Sequence, residues 1–143
     1  MARWSEVEAE APELAARARA LFDAFTHKTM ATLRRDGSPR ISGTEVEFSG
    51  GELFIGSMSR AVKALDLRRD PRFAIHSGSA DPPDWPGDAK IAGRAEEVSK
   101  PGADSHRFRL DISELVVVRL GDPADHLVIE SWHEGRGVSS IRR

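Results

Sequence analysis

The chain has 143 residues, 39% hydrophobic and 31% charged, which is the length of one domain with enough apolar content to bury a core. The absence of cysteine excludes disulfides, thiolate metal centres and thiol nucleophiles. A formal net charge of −2 provides no overall attraction to nucleic acid or to an anionic membrane. No apolar run reaches the roughly 18 residues a spanning helix needs, and residues 1–10 carry no signal-peptide core. The expectation is therefore a single cytoplasmic domain over residues 1–143, with neither nucleic acid nor membrane as partner.

Residues 1–26 read as a helical segment. Ser5 and Glu8 have capping-box spacing, and Pro12 followed by Glu13 suits a first helical turn. Ala11, Leu14, Ala15, Ala18, Leu21, Phe22 and Phe25 recur at three- and four-residue steps and draw one apolar stripe. The period then changes to two. Residues 29–34 predict a strand, Asp36-Gly37 a hairpin turn, 39–48 a long second strand ended by Ser49-Gly50-Gly51, and 52–57 a third.

Ser59 stands where it can cap a short helix, Val62 and Leu65 share a face of it, and Pro71 stops it. Residues 72–77 form a fourth strand. Pro82, Pro83 and Pro86 make 79–88 an irregular loop around Trp85. Residues 90–98 read as a fifth strand and 99–104 as a loop. Residues 108–112 suit a short strand or a turn of helix, while 115–120 and 126–132 are strands joined at Gly121-Asp122-Pro123. About six or seven short strands and two helices suggest a mainly β fold, a closed antiparallel barrel with helical covers.

One place carries a chemical signal. Residues 57–63 form a strand-to-helix turn whose first amide N–H groups are free, and Arg60 and Lys63 lie three apart. A phosphate dianion there meets amide donors, the helix dipole and two cations; a solvated basic helix end accounts for the same residues. The histidines (His27, His76, His106, His126 and His133) form no paired ligand set, so no metal site is expected. No nucleophile elbow surrounds Ser57 or Ser59, and no phosphate-binding or dinucleotide fingerprint is present. Glu45 and Glu47 alternate along one strand and so share a face, either as candidate acids or as a solvated edge.

The stretches ATLRRDGSPRISGTEVEF (31–48) and LFIGSMSRAVKALDLRRDPRFAI (53–75) resemble the N-terminal half of pyridoxamine 5'-phosphate oxidase-like proteins. Asp36, Gly37 and Pro39 match the hairpin of that family, Lys63 its lysine, and Leu67, Asp70, Pro71 and Arg72 the signature that follows. The likeness covers roughly a third of the chain closely and the remainder by strand order. It implies an FMN-binding type of six- to seven-stranded antiparallel split β-barrel with peripheral helices, acting as a homodimer.

By the same resemblance the protein is a flavin-dependent oxidoreductase that transfers hydride to a small organic substrate. Lys63 and Arg60 would hold the cofactor phosphate, and the Ser57 and Met58 backbone would meet the ring or ribityl chain. Ser42, Gly43 and Thr44 would flank the ring, although Gly43 and Thr44 equally suit a bulge in a barrel wall. Trp132 and Arg136 would close the site near the dimer interface, Trp132 being equally suited to a core, and Trp85 is a weaker candidate for a lid. Ser42 stands where the phosphate oxidases carry an arginine and resembles the deazaflavin-using branch. The implied cofactor is FMN, with coenzyme F420 as the alternative. A non-catalytic flavin- or haem-binding protein on the same fold is the other reading, with His76 or His133 as axial ligand.

Overall fold

A computed structural model describes residues 1–143. The N-terminal segment forms two helices, α1 (Trp4–Glu10) and α2 (Pro12–Ala24), broken at Ala11. The residue before a proline is disfavoured in helical geometry, and Ala11 sits at φ −137°, ψ 63°. The expected Ser5–Glu8 box does not form; Glu6 accepts the Arg3 N–H at 3.4 Å, two residues earlier. Helix α2 buries Leu14, Ala15, Ala18, Leu21 and Phe22, the stripe read from the sequence, and packs across the sheet.

Nine strands follow: β1 (Lys28–Leu33), β2 (Pro39–Thr44), β3 (Val46–Ser49), β4 (Glu52–Met58), β5 (Arg72–His76), β6 (Asp88–Glu97), β7 (Ser105–Leu120), β8 (Leu127–His133) and β9 (Gly137–Arg142). Helix α3 (Val62–Arg69) lies between β4 and β5. Every pairing is antiparallel, in the order β2-β1-β5-β6-β7-β4-β3. The two ends of that path, β2 and β3, are consecutive in the chain with only Glu45 between them. The path therefore closes on itself as a barrel, β2 and β3 acting as one wall that changes partner at Glu45.

The long second strand of the sequence reading is thus divided at Glu45. Residues 108–112 and 115–120 are one strand, and β9 was not anticipated. Strand β9 is exposed over nearly its whole length, so its side chains lack the apolar alternation that marks a half-buried strand.

Strand β7 serves two neighbours on one side: its first half pairs β4 and its second half pairs β8. A bulge lets it turn. Across β6, Ala92 faces Glu114 and Gly93 faces Ile112, so Ser113 has no opposite residue, and its hydroxyl donates to the Ala92 carbonyl at 3.2 Å. A Cβ on Gly93 would lie 1.9 Å from the Asp111 carbonyl oxygen, so only glycine fits. The barrel interior holds Met30, Leu53, Ile55, Ile75, Ile91, Phe108, Leu110 and Leu115, and α1 and α2 add Trp4 and Phe22 to the same buried cluster. No helix is long and apolar enough to cross a membrane.

Candidate functional site

An open groove of about 850 Å³ runs beside β3, β4, the start of β7 and the start of α3. Of the residues singled out in the sequence, Ser57, Met58 and Lys63 line it, as do Glu45 and Glu47. Ser57 shares the parity of the buried Leu53 and Ile55 on β4, and its Oγ is shielded from solvent without a hydrogen-bond partner. Met58, on the opposite parity, is 83% exposed and leaves an apolar surface on the groove wall.

Lys63 reaches from α3 to β2, where its Nζ donates to the Gly43 carbonyl at 2.8 Å. Burial holds its pKa below the ordinary 10.5. The partner of this partly dehydrated cation is a neutral carbonyl, so its charge is uncompensated. Helix α3 opens beside it with no side-chain cap, and the N–H groups of Val62 and Lys63 have no acceptor in the chain. Ser59 does not cap the helix as expected. The Ala61 N–H closes a turn on the Met58 carbonyl at 3.1 Å, and Arg60 sits in the left-handed region at φ 65°, which delays the helix to Val62. Arg60 therefore precedes the helix rather than sharing its first turn with Lys63. It occupies an exposed turn between two groove residues, in a conformation that is costly for a side-chain-bearing residue.

On β2, Ser42 and Thr44 share one face and Gly43 the other; Thr44 is buried, and the Ser42 Oγ is a second shielded, unpartnered hydroxyl. The β1–β2 ladder runs without a register shift through Gly43 and Thr44, so neither is a bulge. The bulge of this barrel is at Ser113. Trp132 and Arg136 are not brought to the groove. Trp132 is 1% exposed in the core and donates its indole N–H to Glu10 at 2.8 Å. Arg136 is exposed on the β8–β9 turn. Trp85 is half-buried and bonded to Asp88 at 3.1 Å, outside the groove.

The other wall holds the two carboxylates noted in the sequence together with an arginine that sequence reasoning missed. Glu45 and Glu47 line the groove, Glu47 accepts from Arg107 at 3.2 Å, and the Arg107 guanidinium lies 4.1 Å from the Phe54 ring centre. Arg107 reaches the site because β4 pairs β7 with Gly56 opposite it, a long-range pairing that no local pattern encodes.

A second, apolar trough of about 270 Å³ crosses the outer face of β1, β5 and β6, with Ala31, Ile41, Ala74, His76 and Ala92 in its wall. Ile41 is 73% exposed there. His76 Nδ1 donates to the Ser77 carbonyl at 2.6 Å, which leaves Nε2 as the acceptor nitrogen of the neutral ring. His133 is instead held by Glu114 at 2.9 Å.

No family model and no curated protein matches the chain, so its likenesses are those of three-dimensional structure. It is similar to a pyridoxamine 5'-phosphate oxidase-related, FMN-binding protein from Nostoc punctiforme, with 15% identity, 96% of each chain covered and a TM-score of 0.65. It is also similar to a heme-binding protein from Mycobacterium smegmatis, at 16% identity, 90% and 87% coverage and TM-score 0.61. An F420 reductase matches at 16% identity, 68% and 94% coverage and TM-score 0.55. The chain therefore has the split β-barrel fold. In its fold it resembles these proteins.

Proposed function

We propose that the chain binds a phosphate-bearing flavin-type cofactor, FMN or coenzyme F420, in the Lys63 groove and acts as an oxidoreductase on a small organic molecule. The observation that carries this reading is Lys63 itself: a half-buried ammonium without a carboxylate partner, beside the two free N–H groups that open α3. That set suits a phosphate group, which FMN and F420 both contain. The unpartnered Ser57 hydroxyl suits a polar edge of the same ligand.

When bound, such a cofactor supplies the ring that takes up and gives back hydride, and the protein binds, orients and excludes water. Lys63 and the Val62 and Lys63 amides fix the phosphate end, with Arg60 as the outer cation. Ser57 orients the bound group through its hydroxyl, and Met58 and Phe54 keep water from the open side. Glu45 and Glu47, held 58–66% exposed at the rim, favour a substrate that presents N–H groups or positive charge. The small apolar outer face around Ile41 suits packing against a second copy, and we take the working unit to be a homodimer.

Side-by-side fluorescence titration with FMN and F420 tests the reading; saturable binding of either supports it, and binding of neither overturns it. Sedimentation of the purified chain as a monomer at micromolar concentration would remove the dimer. A second reading, non-catalytic haem binding, is favoured by His76 in the wall of the apolar trough, its Nε2 lying 3.8 Å from Asp88. A Soret band lost on His76→Ala would establish it.

A further inference from the structure

Between the β1–β2 hairpin and the exposed face of α3 lies a pocket of about 470 Å³. Four arginines converge on it: Arg34 and Arg35 from the hairpin, Arg40 from β2 and Arg69 from α3. The pocket and the groove share no lining residue.

The arrangement is built on one buried carboxylate. Asp66, 1% exposed, accepts the Thr32 hydroxyl at 2.8 Å, Arg40 Nε at 2.7 Å and an Arg69 η-nitrogen at 2.8 Å. The same Arg69 nitrogen also donates to the Leu33 carbonyl at 3.0 Å. Burial alone would push the Asp66 pKa up, but these bonds outweigh it and the carboxyl is held below its ordinary value. The two guanidiniums are thereby fixed in place, and the η-nitrogens of Arg40 are left with donors to offer.

The hairpin is fixed as well. Asp36 accepts the Ser38 N–H at 3.0 Å and hydroxyl at 2.6 Å, which occupies the one hairpin carboxylate. The ion pairs of the pocket join Arg40 and Arg69 to Asp66 and leave Arg34 and Arg35 outside them. Four cations against Asp36 and Asp66 leave a local charge of +2 on a chain whose net charge is −2. Beside this charge, Val62 and Leu65 are 50% and 46% exposed on one face of α3.

We infer that this pocket is a second ligand site, for a small phosphorylated organic molecule. The phosphate lies among the four guanidiniums and the carbon part lies on Val62 and Leu65. Two pre-positioned guanidiniums and two free ones match the oxygen geometry of a phosphate monoester, and the apolar strip gives such a ligand an advantage over the bare ion. The inference is independent of what the Lys63 groove holds.

The test uses the full ¹⁵N-labelled chain, titrated in separate experiments with phenyl phosphate and inorganic phosphate while amide shifts are followed. Saturating shifts are expected at Gly37, Ser38, Leu65 and Asp66, with phenyl phosphate binding about fivefold more tightly than phosphate. Arg34→Ala combined with Arg35→Ala, both exposed positions, should weaken either ligand at least about tenfold. Leu65→Ser should remove the phenyl preference and leave phosphate affinity in place, and Lys63→Met should alter neither. Shifts confined to Met58 and Lys63, unchanged affinity in the double arginine variant, or failure to saturate by about 20 mM would overturn the site, the last corresponding to affinity below about 2–3 kcal/mol. Saturation by a short oligonucleotide but not by phenyl phosphate would overturn the small-ligand assignment.

Discussion

Lys63→Met keeps the apolar stem and removes the charge, so it isolates the ammonium as the phosphate anchor. In the free protein burial partly dehydrates the Nζ, which depresses its pKa, and its one bond is to a neutral carbonyl. The charged form is therefore a cost to folding, and its removal should leave thermal stability equal or slightly raised. Ligand affinity should move the other way. Loss of one charge-assisted bond to phosphate is worth about 1.5–3 kcal/mol, or roughly 10- to 150-fold in Kd. The assay is fluorescence titration of FMN and F420 against wild type and variant at two salt concentrations, with melting curves alongside. Arg60→Ala, on the exposed turn, should cost no more than about 1 kcal/mol. A Lys63→Met protein that binds within twofold of wild type, or that melts well below it, would show that Lys63 is a structural tie to Gly43 and not an anchor.

Gly93→Ala should destabilise the protein by at least about 2 kcal/mol in urea unfolding, because its Cβ would meet the Asp111 carbonyl oxygen at 1.9 Å and force the β6–β7 bulge apart. The acid limb of stability should carry the signature of Glu97. The hydrogen bonds from Arg68, both 2.7 Å, hold its carboxyl near 2, down from 4.5. A lowered folded-state pKa stabilises above the ordinary value, so this contribution is complete above about pH 5 and drains away between 4.5 and about 2. Urea midpoints measured from pH 6 to pH 2.5 should fall, and Glu97→Gln should flatten the part of the fall in that window.

Much of the fold was legible because its signals are local. Asp36-Gly37 forms its turn, with Gly37 at φ 86°, and the α2 stripe is buried where the spacing of its apolar residues puts it. The misreadings sit where a long-range contact decides. No local feature marks Glu45 as the point where one strand leaves β1 for β4, since both halves alternate alike. Ser113 is an ordinary residue in a run of strand formers, and the bulge there depends on how closely Gly93 approaches Asp111. The same holds for the site. Lys63, Ser57 and Met58 lie near one another in sequence and were legible; Arg107 arrives through strand pairing and was not. Trp132 was suspected because an aromatic at a strand end suits a site, but it is buried in the core and Glu10 takes its N–H.

The serine at position 42 takes on a different meaning in the structure. Arg40 stands two residues earlier on the same face of β2, with its Nε bonded to Asp66 and away from the groove lining. Of the half-buried cations in the groove, Arg107 is paired with Glu47 and Lys63 has no carboxylate partner; one shielded hydroxyl without a partner, Ser57, lies in the groove wall, and Ser42 carries another on β2 outside its lining. An unsatisfied buried hydroxyl costs about 1–3 kcal/mol, and a fold that bears that cost beside a groove is explained if a ligand satisfies it. Ser57→Ala separates the two cases by sign. If Ser57 serves a ligand, the variant should gain up to about 1 kcal/mol of stability in the free protein and lose about 1 kcal/mol, roughly fivefold, in cofactor affinity. Urea unfolding with and without saturating cofactor reads both quantities. A variant that is less stable when free and unchanged in binding would make Ser57 a structural residue, and the groove would then rest on Lys63 alone.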